Sequence, residues 1–376
     1  MSQASPFHNP PAQNPPAHNP PLQNNVKALR LARGWSQAEL ARRAGISRAA
    51  VSAIEIERLV PSVAAALSLA GAFGCRVDGL FSLNTGNHPA PNWAWAPGNN
   101  SAGDMGSEPC RFWHAEIGGR TLLYPVEAGS LGVIGHDGIY NGGLVEPRSQ
   151  NLPEQTLVMA SCDPAASLLA AELARATPFR LLVVPRSSSE ALRLLGRNLV
   201  HVAGVHLAKA GQRRGNAAAV KKQLGSGYTL LRVARWQEGL ALAPGLGIRT
   251  VAGALRKKLR WVGRETGSGA RQCLDELLEH RETPRREARD HRGVAEAIRC
   301  GWADVGVCVR LVSEDAGLEF LSVRDETYDL CFSSESSDDP RIQALVSAVR
   351  SESYRHILGE LPGYDTEQAG ELESIT

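Results

Sequence analysis

A chain of 376 residues with a formal net charge of +2 is too long for one small module and too evenly charged for a polybasic nucleic-acid coat. Residues 1–85 carry eight Lys or Arg against four Asp or Glu, a balance of +4, so the other 291 residues sum to −2. No apolar run approaches the roughly 20 residues of a membrane span and no charged-then-apolar leader opens the chain, so a cytoplasmic protein without membrane partners is expected. Seven cysteines, at 75, 110, 162, 273, 300, 308 and 331, contain no C-x-x-C pair, and the ten histidines are scattered. Free thiols are expected, with no metal and no cofactor.

Residues 1–25 repeat Asn-Pro-Pro three times at five-residue spacing, which offers few amide donors and no apolar face, and are expected to be a disordered arm. A first helix follows from Val26 to Ala32. Ser36 caps the next, with Glu39 three residues on to complete a capping box. Gly45 supplies the left-handed residue that ends it, and Ser47 caps another helix two residues later. In that helix Val51 and Ile54 face inward with Ile46, leaving Arg48, Ala49 and Ser52 outside near its N-terminus, where a recognition helix meets base edges in a DNA major groove. Pro61-Ser62 opens a fourth helix through Phe73, closed by Gly74, and 77–81 supplies a last apolar turn.

The segment Val26–Leu83 resembles the phage-repressor or Xre type of helix-turn-helix domain over all five helices, and a domain spanning 26–84 is expected. The resemblance implies that Gln37 holds phosphate and supports the recognition helix while Arg48 reads a base. Gln37, Ser47, Arg48, Ala49 and Ser52 are the candidate contacts to a double-stranded DNA operator. The modest charge predicts affinity from a homodimer placing two heads.

Residues 85–110, rich in Pro, Gly, Asn and Ser, read as a linker in which Trp93 and Trp95 dock on a neighbouring surface. From 111 to 150 short strands alternate with Gly118-Gly119 and Asp137-Gly138, pairs suited to two-residue hairpin turns, and give a small β module. From 151 to 358 strands alternate with helices, the pattern of an α/β domain. Strands are expected at 157–160, 181–184, 200–205, 240–243, 261–262 and 305–309. Helices are expected at 164–176, 188–196, 270–280, 291–300 and 341–358, with two halves split near 209–228 and a C-terminal tail at 359–376.

Three times in this domain a strand runs into a polar turn that opens a helix: Ser161-Cys162-Asp163, Ser187-Ser188-Ser189, and Thr266-Gly267-Ser268-Gly269 with Arg271. Free helix N-terminal amides beside hydroxyls suit an anion or a polar small molecule, and ligands of open α/β sheets bind beyond the carboxyl ends of strands. With Val202–Leu207 and Gly301–Gly306, these segments resemble the type-2 periplasmic-binding-protein fold in a version fused behind a helix-turn-helix and similar to molybdate-binding domains. The resemblance implies a two-lobed α/β domain closing on a ligand, with His206 and Asp304 near strand ends facing the cleft.

The fold class expected is therefore multidomain: an all-α helix-turn-helix domain, a small β module and an α/β two-lobed domain. The expected function is a ligand-responsive transcription regulator sensing a small polar molecule or oxyanion, molybdate-like or other. Cys162 at a helix start offers an alternative, a thiol or redox sensor. An enzyme is not expected, because no G-x-S-x-G elbow is present and the hydroxyls hold capping positions.

Overall fold

The computed structural model describes residues 22–83, 92–97, 109–127, 135–141, 144–208, 215–279 and 284–376. So far as they are described, residues 1–90, 106–109 and 138–150 form one compact unit, and 91–105, 110–137 and 151–376 form another.

The first unit opens on β1 (Leu22–Asn24), then α1 (Val26–Ala32), α2 (Gln37–Ala44), α3 (Arg48–Glu55) and α4 (Val63–Phe73), a 3-10 turn at Val77–Gly79, and β2 (Phe81–Leu83). β1 pairs antiparallel with β2, and the Asn24 side chain donates to the Ile54 carbonyl at 3.0 Å, so the expected disordered arm does not reach residue 25. Residues 1–21 of that arm lie outside the described residues. Gly45 sits at φ +64, and the Ser47 hydroxyl accepts the Ala50 amide at 3.0 Å. Two caps around one left-handed residue set the steep crossing of α2 and α3. Only half of the expected capping box forms. The Ser36 hydroxyl accepts the Glu39 amide, but the Glu39 carboxylate turns to Arg42 and Arg43, each at 2.7 Å. Charge-assisted bonds to guanidinium groups one turn on win over a neutral amide. Leu40, Val51, Ile54, Leu69, Phe73 and Leu80 form the core, with Trp35 stacked on Phe73 at 5.6 Å.

In the second unit, β3 (Cys110–Ile117) and β4 (Arg120–Pro125) are joined at Gly118-Gly119, both with positive φ as the two-residue turn requires. Asp137-Gly138 is not the second turn. Asp137 is buried and receives Arg180 at 2.6 and 2.8 Å, while Gly138 belongs to the first unit, where it opens β5 (Gly138–Asn141), which pairs with β6 (Leu144–Pro147). A carboxylate fixed by a guanidinium fork is not free to serve a tight turn. The expected linker is bound where it is described: Trp95 lies edge-on to Tyr124 at 5.3 Å and donates to Glu127 at 2.6 Å, and Trp93 meets Phe112 at 6.4 Å. Two amphipathic rings bury more apolar area docked than free. The β3–β4 hairpin is no separate module either, because Trp113, Ala115, Leu122 and Tyr124 share one core with Val158, Ala160, Leu182 and Val184.

That core belongs to the α/β domain. Its first lobe holds β7 (Thr156–Ser161), α5 (Ala166–Ala176), β8 (Arg180–Pro185), α6 (Ser188–Gly196), β9 (Val202–Val205) and α7 (Gly215–Leu224). β10 (Tyr228–Leu242) crosses to the second, with α8 (Val251–Arg256), β11 (Trp261–Arg264), α9 (Gly269–Leu278), β12 (Glu287–Ala288), α10 (His291–Arg299), β13 (Val305–Val309) and α11 (Arg310–Asp315). β14 (Glu319–Ser333) returns, and α12 (Pro340–Arg350) and α13 (Glu352–Gly359) follow. The sheet order is β12-β11-β13-β10-β14-β9-β7-β8. β10 and β14 pair antiparallel along their length, and β10 meets β13 of the second lobe while β14 meets β9 of the first. Two 15-residue strands therefore bridge the lobes, and Trp236, Glu238 and Glu326 sit near their middle. The expected C-terminal tail is structured: β15 (Tyr364–Asp365) and β16 (Leu372–Ile375) both pair with β10, and Tyr364 and Ile375 are buried. Free edge amides on a long strand recruit the chain end.

His201 gives this lobe a pH dependence. Its Nδ1 accepts the Val158 amide at 2.9 Å, so Nε2 carries the proton toward the Glu116 carbonyl at 3.0 Å, and burial holds the ring near a pKa of about 4. Unfolding restores an ordinary imidazole near 6.5, so the unfolded chain binds the extra proton and stability falls as pH drops from about 6.5 to about 4. The expected loss is about 3 kcal/mol. Denaturant unfolding of the wild type and His201→Gln checks it: the variant's stability should change less across this window, and parallel curves would remove His201 as the cause.

Candidate functional site

The three polar turns converge on His206, the residue that follows β9. Behind β7, the Ser161 hydroxyl meets Tyr328 Oη at 2.6 Å and accepts the Asp163 amide at 3.0 Å. Cys162 Sγ lies 3.0 Å from His206 Nε2. Asp163 accepts from the Ala165 amide and, at 2.7 Å, from the Tyr364 hydroxyl, which brings the chain end to the same place. Burial pushes the Asp163 carboxyl up to about 6. At the start of α6, Ser188 is fully buried and accepts the His206 amide at 3.1 Å, while Ser187 is buried without capping the helix through its hydroxyl. The Ser189 amide donates across the lobes to the Gly267 carbonyl at 3.3 Å. Gly267, at φ +92, leaves room for the Ser189 side chain, and a Cβ at Gly269 would overlap the His206 carbonyl and ring. Ser268 caps α9 by accepting the Arg271 amide at 3.1 Å.

Behind His206 stands a buried charged cluster carried by the bridging strands. His206 Nδ1 meets Glu326 Oε2 at 2.9 Å, and Trp236 lies edge-on to the imidazole at 5.0 Å. Arg324 pairs with Glu326 and reaches Glu238 at 3.0 Å. Burial, with Glu326 alongside, pushes the Glu238 carboxyl up to about 8. Burial disfavours a charged His206, but the neighbouring Cys162 sulfur and Glu238 outweigh it and raise the imidazole above its ordinary value. On the second lobe, Arg264 is 1% exposed and His291 is also 1% exposed. Arg264 donates to the Arg289 carbonyl at 3.2 Å, yet its Nε and Nη1 have no hydrogen-bond partner among the described residues. Neither ring nitrogen of His291 has one either. Burial and the Arg264 charge hold His291 well below its ordinary pKa. A small cavity of about 30 Å³, lined by Ser161, Cys162, Asp163, Pro164, His291 and Arg292 among others, opens between the lobes.

Three expected site residues do not join the site. Asp304 binds Arg260 on the surface, its carboxylate accepting the Arg260 amide at 2.7 Å, because it precedes β13 and so lies at the end of that strand away from the cleft. Arg271 turns to Asp275 and Glu287 at 2.9 and 2.8 Å and to the Arg264 carbonyl, so its charge is already met. Thr266 is exposed. Sequence reading gave no ligand-binding role to Arg264 or His291 and missed Glu238, Arg324 and Glu326. No sequence signal marked the last three, since Glu238, Arg324 and Glu326 lie in polar stretches outside the expected strands and meet only through the pairing of β10 with β14.

On the helix-turn-helix, Arg48 and Ala49 are exposed at the start of α3, Ser47 is exposed with its hydroxyl engaged as cap, and Ser52 is half-buried. Gln37 reaches inward to Glu55 Oε2 at 2.9 Å, bracing the end of α3.

A helix-turn-helix family model matches residues 26–80, and a model described as a PBP superfamily domain matches residues 170–350. The uncharacterized HTH-type transcriptional regulator YgzD of Bacillus subtilis (strain 168) is 38% identical over 65 residues, 17% of this chain and 98% of its own length. The uncharacterized protein YvgK of the same strain is 28% identical over 181 residues, 46% of this chain, and the match spans 58% of YvgK. Among solved structures, a tungstate ABC transporter protein from Geobacter sulfurreducens aligns with a TM-score of 0.44 at 15% identity, covering 55% of this chain and 99% of that one. Distances of that size say nothing of what this chain binds.

Proposed function

We propose, for a chain that belongs to the helix-turn-helix family through residues 26–80 and carries a PBP superfamily domain, that it is a transcription regulator whose operator binding answers a small anion held between the lobes. The observation that carries the anion is Arg264. A guanidinium taken out of water with two donors unmatched, and only a 3.7 Å contact to the Glu265 carboxylate, is costly unless a ligand supplies the missing acceptors. His291 beside it adds a second buried polar group without a partner. A tetrahedral oxyanion offers several acceptors at once, and opening the lobes frees turn donors such as the Ser189 amide, which in the closed arrangement bonds the Gly267 carbonyl. The cavity of about 30 Å³ is too small for an oxyanion or an organic effector in this closed arrangement, so the lobes open to load and close on the ligand. In a homodimer that closure changes the spacing of two DNA heads, which requires the ligand to prefer one arrangement. Thermal shift of the full chain against molybdate, tungstate, sulfate and phosphate tests the reading. Stabilisation by at least one supports it, and none by any removes the anion.

A second reading has its own observation. Cys162, His206 and Glu326 stand in the order nucleophile, base and orienting carboxylate, at 3.0 and 2.9 Å. If Cys162 is alkylated faster than the exposed Cys75 and Cys300, a thiol sensor gains over the anion sensor.

At the DNA end, Arg48→Ala should cost about 1–3 kcal/mol on the operator and much less on random DNA, because a guanidinium at the start of α3 suits a bidentate guanine contact. Equal loss on both sequences, by filter binding at fixed salt, would assign Arg48 to phosphate.

A further inference from the structure

We propose that Cys162, His206 and His291 hold one zinc-type transition-metal ion between the lobes. Sequence spacing gave no hint, since the three lie on separate turns brought together only by the fold. Their ligand atoms all lie within 4.8 Å of one another, and all three residues are buried. One thiolate with two imidazoles suits the borderline-soft first-row ions, zinc and copper among them, and three protein ligands leave a position open, as in sites that act on a ligand.

Three independent features point to a ligand here. His291 presents two ring nitrogens with no partner, in a residue sealed from solvent that lines the cavity. His206 is held as a metal-ligating histidine is held: its far nitrogen meets the Glu326 carboxylate at 2.9 Å, and Trp236 Nε1 steadies the same oxygen at 3.4 Å. The cavity of about 30 Å³ beside Cys162 and His291 accommodates a single small fourth ligand. Another grouping, His206 with Glu238 and Glu326, is the weaker candidate, because Arg324 already pairs with both carboxylates. In a tetrahedral site with Zn–S of about 2.3 Å and Zn–N of about 2.0–2.1 Å, sulfur and nitrogen stand about 3.5 Å apart. Cys162 Sγ and His206 Nε2, now at 3.0 Å, therefore separate modestly on loading. Binding releases the thiol proton to solvent and forms the sulfur–metal bond. The open position is where an anion would enter as fourth ligand, within reach of the Arg264 charge that acts on His206 and His291. Only that fourth ligand depends on the anion reading above.

The test uses the full chain, stripped with chelator and titrated with Co²⁺ alone. The expected result is a thiolate-to-cobalt charge-transfer band that saturates at one equivalent and is displaced by Zn²⁺. The band should vanish in Cys162→Ala, and His291→Gln should weaken Co²⁺ binding tenfold or more. Melting curves of the metal-free variants establish that they fold, and His291→Gln leaves the Cys162 turn untouched. No sulfur–cobalt band, or one unchanged in Cys162→Ala, overturns the site. Thermal shift with oxyanions on metal-free protein separates the two ideas: a metal band without an anion response sustains the metal site, and an anion response without the band removes it.

Discussion

Glu55→Ala should destabilise the helix-turn-helix domain by about 3–5 kcal/mol, the usual cost of stranding one partner of a buried ion pair. Arg30 meets the Glu55 carboxylate through Nε and Nη2 at 2.6 and 2.9 Å, and the two side chains are 9% and 2% exposed. Burial alone would raise the Glu55 pKa, yet the bonds from Arg30 and Gln37 hold it below the ordinary carboxylate value. Without the carboxylate, Arg30 keeps only the Trp35 carbonyl among the described residues, and Gln37 loses its hold on the end of α3. At roughly 4–8 °C per kcal/mol for a domain this small, the melting temperature should fall by more than about 12 °C, and operator binding should be lost with it. Replacing both Arg30 and Glu55 with leucine should recover much of the stability, because no charge is left unpaired. A fall of less than about 1 kcal/mol in Glu55→Ala would mean that the pair is solvated.

Arg264→Met should act in the opposite sense. If this guanidinium waits for an anion, its removal relieves an unmet burial cost, and the ligand-free domain should be as stable as the wild type or more so by about 1–3 kcal/mol. Anion affinity should drop by about a hundredfold or more, since a buried charge-assisted contact is lost. A variant that is strongly destabilised yet still responds to anions would make Arg264 a structural residue satisfied by Arg289 and Glu265.

The parts of this chain legible in sequence are those whose physics is local. Ser36, Gly45 and Ser47 announce the two helices because caps and a left-handed residue act over three or four positions. Ser268 marks the start of α9 in the same way, whereas the turns at Ser161 and Ser188 open helices with no side-chain cap. β14 was not legible, because Arg324-Asp325-Glu326-Thr327 reads as a solvated loop, whereas in the fold it crosses between lobes and carries the charges behind His206. The chain end was missed because β15 and β16 find their partner more than 120 residues earlier, in β10. Asp304 was misplaced by one strand end, a distinction that depends on sheet direction rather than composition. Arg264 and His291 gain meaning only through partners they lack, and a missing partner has no sequence signal.

The central claim is that one ligand couples the lobes to the DNA heads. The direct measurement is the operator affinity of the full chain with and without whichever anion stabilises it, at fixed salt, on a site selected from randomised DNA. The expected change is about 5- to 150-fold, with the same factor when anion affinity is measured with and without operator. An anion that binds and stabilises the protein while operator affinity stays the same would contradict it.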